Sequence, residues 1–302
     1  MEMEQFFSRN GLGQIGSVSI QSFKDFMRDS GPQWAAAIAF YSLLSLFPLL
    51  LAAASIAAYF VNPEWAIQQG TRLMGNFLPG GVEQIRQIVQ DTIQARGGVS
   101  FFSFLLLIWS GSRVFGVITK ALNIAYNADE PYGFLKRTLI ELLMTLTIGV
   151  LFVLALGSRL LLELIVEDLL FLSGNRLIFR AIQWMLPGVL LFVTFYLTYR
   201  FVPRKKPAAS AAFTGALLAA LLFLGGRILF IGYIQKFANY NLVYGPLGIV
   251  ITLILWAWIA AVILLLGGEL VSHIQEMLIE QKSEQEVEAS HERRDPTNSK
   301  SS

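Results

Sequence analysis

Ser30–Asn62 reads SGPQWAAAIAFYSLLSLFPLLLAAASIAAYFVN and contains no Asp, Glu, Lys or Arg. The ~30 Å hydrocarbon core of a bilayer is crossed by about 20 apolar residues in an α-helix, at ~1.5 Å rise each. This stretch is long enough. Three more are equally free of charge: Gly97–Ser112, Ala181–Tyr199 and Gly245–Gly268. The pattern predicts an all-α, polytopic membrane protein.

Working outward, the apolar runs predict a six-helix transmembrane bundle, with spans at 34–60, 100–122, 138–162, 182–201, 208–235 and 245–270. Three parts follow. Residues 1–29 are a cytoplasmic N-terminal segment, 30–275 the six-span domain and 276–302 a cytoplasmic, largely disordered tail that begins as a helical extension. A secretory apolar region covers only ~7–15 residues near the N-terminus. The run from residue 34 is longer and later, so it is an uncleaved first span.

Composition agrees. The 302 residues are 55% hydrophobic and 15% charged, against roughly 25% charged in soluble domains. Cysteine is absent, which excludes disulfides, Cys-based metal sites and thiol nucleophiles. The two histidines, His273 and His291, lie beyond the last apolar run, so no His-rich centre fits inside the membrane. A net charge of +2 points neither to nucleic acid nor to an acidic partner.

Two amphipathic segments flank the first span. Val18–Asp29 spaces Phe23, Phe26 and Met27 on one helical face, which predicts a short helix lying on the membrane surface. Gly31-Pro32 is read as its break. In the long linker 61–98, Val82, Ile85, Val89 and Ile93 recur at three- and four-residue steps, which predicts an amphipathic helix outside the bilayer. Gly11-Leu12-Gly13-Gln14-Ile15-Gly16 spells a dinucleotide fingerprint, but no strand precedes it and the match is accidental.

Lysine and arginine set the orientation. Arg200, Arg204, Lys205 and Lys206 lie in one loop, and Lys120, Lys136 and Arg137 in another. The positive-inside rule puts both loops, and both termini, in the cytoplasm.

Charges within spans are the default functional candidates, since each costs ~2.5–3.5 kcal/mol at a helix centre. Arg113, Gly116, Lys120, Asn123 and Asn127 follow at three- or four-residue steps and share one face of the second span. Such a stripe is expected to face the bundle interior or a watery cavity. The competing reading is that Lys120 onward snorkels to the cytoplasm. Arg227 shares a face with Ala212, Ala216 and Ala220, small residues that admit close helix approach, and is expected to point inward with them. Glu141 and Glu269 sit at the cytoplasmic ends of the third and sixth spans, as candidate polar groups or as structural ion pairs at helix ends, and for Glu269 the structural ion pair is the preferred reading. Pro48 breaks the first span, and Ser42 and Ser45 are placed to satisfy the carbonyl it frees. No H-E-x-x-H or G-x-S-x-G motif occurs. No catalytic residue, cofactor site or metal site is expected.

Several stretches together resemble the YihY/BrkB family of bacterial inner-membrane proteins. They are Ala35-Ala36-Ala37-Ile38-Ala39-Phe40-Tyr41-Ser42-Leu43-Leu44-Ser45-Leu46-Phe47-Pro48, then Ala121-Leu122-Asn123-Ile124-Ala125-Tyr126, then Tyr244-Gly245-Pro246-Leu247-Gly248, Leu255-Trp256 and Leu266-Gly267-Gly268-Glu269-Leu270. The resemblance covers about residues 20–275 and implies a six-span bundle in the bacterial plasma membrane. That family was once labelled ribonuclease BN and once linked to virulence, and it has no settled biochemical activity. The chain lacks the metal-ligand histidines of a hydrolytic ribonuclease, so that label is not adopted.

The expected function is transport, or handling of a lipid or anionic solute, with Arg113 and Arg227 receiving an anionic group. The rival expectation is a non-transporting scaffold or regulator that binds partner proteins through its tail and outer helix. The lipid bilayer is the one partner the composition names. Substrate, coupling ion and oligomeric state are not legible.

Overall fold

The computed structural model describes residues 12–60, 98–128, 176–236 and 246–294, and among 129–151 the residues 133, 135, 136, 138–140, 142–144, 146–148, 150 and 151. All regular structure among them is helical. The six long helices are α1 (Leu12–Arg28), α2 (Gly31–Phe60), α3 (Gly98–Ala125), α4 (Arg176–Phe201), α5 (Ala209–Lys236) and α6 (Pro246–Arg294). Further helical turns lie between residues 135 and 151, where the third span is expected.

Helix α6 is the hub. Helices α2 and α3 pack as one pair and α4 and α5 as another, while α6 touches α1, α2, α3, α4 and α5. Among the described residues, two helical segments, Ala209–Ile234 and Val250–Glu286, are long and apolar enough to cross a membrane. Their outer surfaces carry Leu217, Leu221, Leu222, Leu224, Ile228, Leu229, Ile251, Leu253 and Ile254, all exposed. A contiguous apolar surface of this kind is a lipid contact, because soluble monomers rarely show one to water.

Helix α1 differs from the expected surface helix. Ser22 and Phe26 are buried against the bundle, whereas Ile20, Phe23 and Met27 form an exposed apolar stripe at i, i+3 and i+7. One helix therefore has two working faces, and Phe26 belongs to the inner one. It begins at Leu12, six residues before the expected start, so the glycines of the accidental fingerprint from Gly13 onward lie in a helix. Gly31-Pro32 is not a gap between helices but the first turn of α2. The break is Asp29-Ser30: Ser30 has φ 59°, and its carbonyl accepts the N–H groups of Gln33 at 3.0 Å and Trp34 at 3.2 Å. A side chain at Gly31 would overlap the Phe26 ring and carbonyl, so only glycine permits this close return.

Helix α3 ends in a Schellman motif. Asn127 adopts φ 46°, the Ala128 N–H donates to Asn123 O at 3.0 Å, and the Asn127 N–H donates to Ile124 O at 3.0 Å. Helix α6 runs on to Arg294, so the segment expected as a largely disordered tail is helical through 276–294. The reason is local: no Gly or Pro occurs between Glu269 and Arg294, Glu, Gln, Lys and Leu are good helix formers, and Leu278 packs on the core. The linker helix expected in 61–98 lies outside the described residues, as does Glu141.

Candidate functional site

Gly267-Gly268 lets α6 approach its neighbours, and the next residue is Glu269. A side chain at Gly267 would overlap the Tyr199 hydroxyl of α4 and crowd Ala219 of α5, and one at Gly268 would overlap Leu122 of α3. Tyr199 is fully buried, and its hydroxyl donates to Leu264 O at 2.9 Å. Gly215 of α5 likewise leaves room only for Val271. Four helices thus meet within one turn of α6, with almost no space for anything else.

One gap remains, on the other side of that turn. A cavity of about 10 Å³ is lined by Phe26, Asp29, Gly31, Trp34, Ala121, Ala125, Leu265 and Glu269. That is the room of a single water. Glu269 is only 5% exposed. Among the described residues it makes neither a hydrogen bond nor an ion pair. Buried carboxylates are ordinarily paired, because removing a charge from water costs several kcal/mol or more. Tyr126, just past α3, is also buried with its hydroxyl unpartnered. Burial holds the Tyr126 phenol well above its ordinary pKa, and the nearby Glu269 charge pushes the same way.

Charged groups from the α1 side gather beside this gap. Arg28 Nη1 lies 2.9 Å from Asp25 Oδ1, and Arg28 Nε 3.3 Å from Asp29 Oδ1. The hydrogen bond to Asp29 and the charge of Asp25 raise the Arg28 pKa. His273 Nε2 lies 3.0 Å from Asp25 Oδ2, and its Nδ1 3.5 Å from Glu276 Oε2. The described residues contain no group of three or more Asp, Glu, His or Cys arranged to hold a metal ion.

The candidates read from sequence separate sharply. Glu269 is buried at the helix junction. Arg113 and Arg227 are exposed, so neither is packed inside the bundle. The guanidinium of Arg113 lies 5.8 Å from the Trp109 ring centroid, a cation–π distance on an outward face. The large buried side chains of α3, Phe115, Ile118 and Leu122, lie on the opposite face with Ala125, although Gly116 of the stripe is buried as well. Arg227 does continue the Ala212–Ala216–Ala220 stripe, and those alanines are buried, but beyond them the contacts of α5 narrow to Phe223, Gly226 and Phe230, and Arg227 is exposed. A side chain at Gly225 would meet nothing within 4 Å.

Lys120 is exposed and Asn123 half-buried. The role of Asn123 is structural, because its Oδ1 accepts the Arg204 N–H at 2.8 Å and so ties α3 to the basic α4–α5 loop. That loop is held further by Arg200 Nη1 donating to Pro207 O at 2.7 Å and the Ala208 N–H donating to Gln275 Oε1 at 2.6 Å. The break expected at Pro48 does not end the helix: α2 runs continuously through it from Gly31 to Phe60, and the Ser45 hydroxyl donates to Ser42 O at 2.9 Å. The carbonyl one turn before Pro48 is that of Leu44, so Ser45 does not serve it.

Sequence reasoning missed Asp25, Asp29, Trp34 and His273 as neighbours of Glu269. Only spacing hinted at them. Asp25 and Asp29 are four apart, and Glu269, His273 and Glu276 follow at four and three, each set on one helical face.

This is a helical membrane protein with a buried carboxylate where its helices converge. The chain belongs to the BrkB/YihY (UPF0761) family: the family described as Virulence factor BrkB matches residues 22–292. It is similar to the "Putative ribonuclease-like protein YfkH" of Bacillus subtilis (strain 168), 27% identical over 82% of this chain and 91% of that one. A "UPF0761 membrane protein" of Prosthecochloris aestuarii is 28% identical over 84% of this chain, which spans 61% of that relative's length. "UPF0761 membrane protein MS0032" of Mannheimia succiniciproducens is 24% identical over 83% of this chain and 87% of that one. No solved structure matches the chain.

Proposed function

We propose that this chain is a six-span transporter or lipid-handling protein of the bacterial plasma membrane, with both termini cytoplasmic, and that it is not an enzyme. The span count rests on five long apolar helices, α2 to α6, together with the helical turns at 135–151. The orientation is supported by the basic α4–α5 loop being stapled to the end of α3 and to α6, which gathers Arg200, Arg204, Lys205 and Lys206 at one end.

The observation that carries the functional reading is Glu269. An ionisable group held at a helix convergence, at a cost in free energy, marks a working site by default. Arg113 and Arg227, being exposed, suit anionic lipid headgroups at the bilayer surface rather than a substrate inside the bundle. The scaffold reading keeps one observation in its favour: beyond Leu278 the extension of α6 carries the exposed Glu280, Glu284 and Glu286, side chains open to partners.

The test compares cells expressing the wild type, Glu269→Gln or a truncation after Leu278, at matched membrane levels, by solute and lipid content on each side of the membrane. The wild type and the truncation are expected to shift the same solute or lipid, and Glu269→Gln to lose the shift. Loss on truncation with retention in Glu269→Gln would favour the scaffold.

A further inference from the structure

We infer that Glu269 is a proton-binding site, served from the α1 side by Glu276, His273, Asp25 and Asp29. The inference deepens the transport reading and rests on it only for what the proton is used for.

The groups join an exposed end to a buried one, with three partly buried side chains between. The Glu276 side chain is 56% exposed, His273 15%, Asp25 16% and Asp29 20%, and Glu269 is 5% exposed. His273 bridges the first pair of carboxylates, with one ring nitrogen 3.5 Å from Glu276 and the other 3.0 Å from Asp25. Imidazole is the side chain that takes and releases a proton nearest neutral pH. Arg28, which stays charged and carries no proton itself, holds Asp25 and Asp29 together through its two ion pairs, and Asp29 and Glu269 line one cavity with room for a single water. A proton delivered there through the water forms one O–H bond on Glu269 and breaks one on the donor, which is left one charge more negative, and no electron moves.

A metal cation fits worse. Hard cations gather about six oxygens. Here the lining offers two carboxylates amid Phe26, Trp34, Ala121, Ala125 and Leu265. A carboxylate with no partner among the described residues and little room for ligands is one that a proton alone can neutralise.

The charged and titratable surroundings are few. Helix α1 and its turn bring Asp25, Arg28 and Asp29, α6 itself brings His273 and Glu276, and the end of α3 brings Tyr126. Helix α4 offers Tyr199, which faces Gly267. Helix α2 is free of Asp, Glu, Lys and Arg, and the face of α5 toward α6 is Ala and Gly. The carboxylates Asp25, Asp29 and Glu276 outnumber the one guanidinium, so the local field draws a proton in.

Infrared difference spectroscopy on the full chain in lipid nanodiscs, between acidic and alkaline buffer, tests this without a substrate. A protonated-carboxyl stretch is expected that titrates, shifts in D₂O, vanishes in Glu269→Gln and returns displaced in Glu269→Asp. His273→Ala is expected to slow deuterium exchange of that band about tenfold or more, since local opening must replace the direct path. The proton site is overturned by a band that survives Glu269→Gln in folded protein, by no band at all, or by one abolished by sodium at fixed pH. Exchange unchanged in His273→Ala overturns the relay. An intact band with no transport sinks the transport reading alone, and transport without the band sinks the proton site alone.

Discussion

Helix α5 is packed along one half and open along the other. From Ala211 to Ala220 its small residues, Ala211, Ala212, Gly215, Ala216, Ala219 and Ala220, lie buried against neighbouring helices. From Leu221 onward, Leu221, Leu222, Leu224, Ile228 and Leu229 are exposed, and contact narrows to aromatic pairs such as Phe230 with Trp256 at 4.9 Å. The composition of each half follows its solvent. Small side chains let protein meet protein, and branched ones suit lipid. The two ionisable candidates divide along the same line: Glu269 sits beside the packed half, and Arg227 projects from the open one. Small-residue spacing thus locates a helix contact only as far as a partner runs beside it.

The largest expected effect tests the packed half. Gly267→Val drives a methyl into the Tyr199 hydroxyl and Ala219, which cannot retreat from a fully buried junction. Overpacking costs typically 1–3 kcal/mol, and displacing the Tyr199 bond to Leu264 adds about 1 kcal/mol. A fall of about 3 kcal/mol is expected in unfolding measured in detergent. The same change at Gly225, where nothing lies within 4 Å, is expected to be within about 0.5 kcal/mol of neutral. Equal losses at both glycines would erase the distinction between the halves.

Next comes the staple at the basic end. Asn123→Ala leaves the Arg204 N–H without its acceptor, which costs about 1–2 kcal/mol if water does not replace it. Asn123→Asp keeps an acceptor and should lose less. Thermal unfolding of both variants, with protease sensitivity of the α4–α5 loop, checks the order. An unchanged midpoint in Asn123→Ala would show that the loop is held by its buried Val202, Pro203 and Pro207 instead.

Glu269→Gln is expected to move stability the other way. Removing a charge that lacks a described partner relieves its desolvation, so unfolding should be unchanged or raised by about 1 kcal/mol. A loss of about 3 kcal/mol or more would reveal a cationic partner and return Glu269 to the class of structural ion pairs.

Much of the fold is legible because helix length and apolarity are local properties. The uncharged run from Ser30 becomes α2, and the run ending at Gly268 falls, from Pro246 onward, within α6. Glu269 is legible as a charge at a span's end, but the sequence favours a structural ion pair there, and only the packing shows it buried without a described partner. What the sequence conceals is long-range. His273 meets Asp25 across nearly the whole chain, and nothing in the spacing of either announces it. The Arg113 stripe misleads for a different reason. Polar residues on an apolar helix are expected to hide from lipid, yet a long basic side chain can lie along its own helix. Arg113 does so against Trp109, and Lys120 and Asn127 lie exposed near the end of α3.

The smallest expected effect is at the arginines, and it sharpens the contrast most cleanly. Arg113 and Arg227 are exposed, so Arg227→Gln should change stability by about 0.5 kcal/mol or less and Arg113→Gln by about 1 kcal/mol or less. Arg113→Gln also gives up a cation–π contact worth about 0.5–1 kcal/mol at an exposed site, so of the two it should lose slightly more. Both variants should leave the Glu269 carboxyl signal unaltered, since neither arginine lines its cavity. Unfolding midpoints and that band, measured on the same samples, decide the matter. A marked loss of stability in Arg113→Gln that Glu269→Gln rescues would mean that the two charges are coupled. The outward stripe and the buried carboxylate would then be one site rather than two.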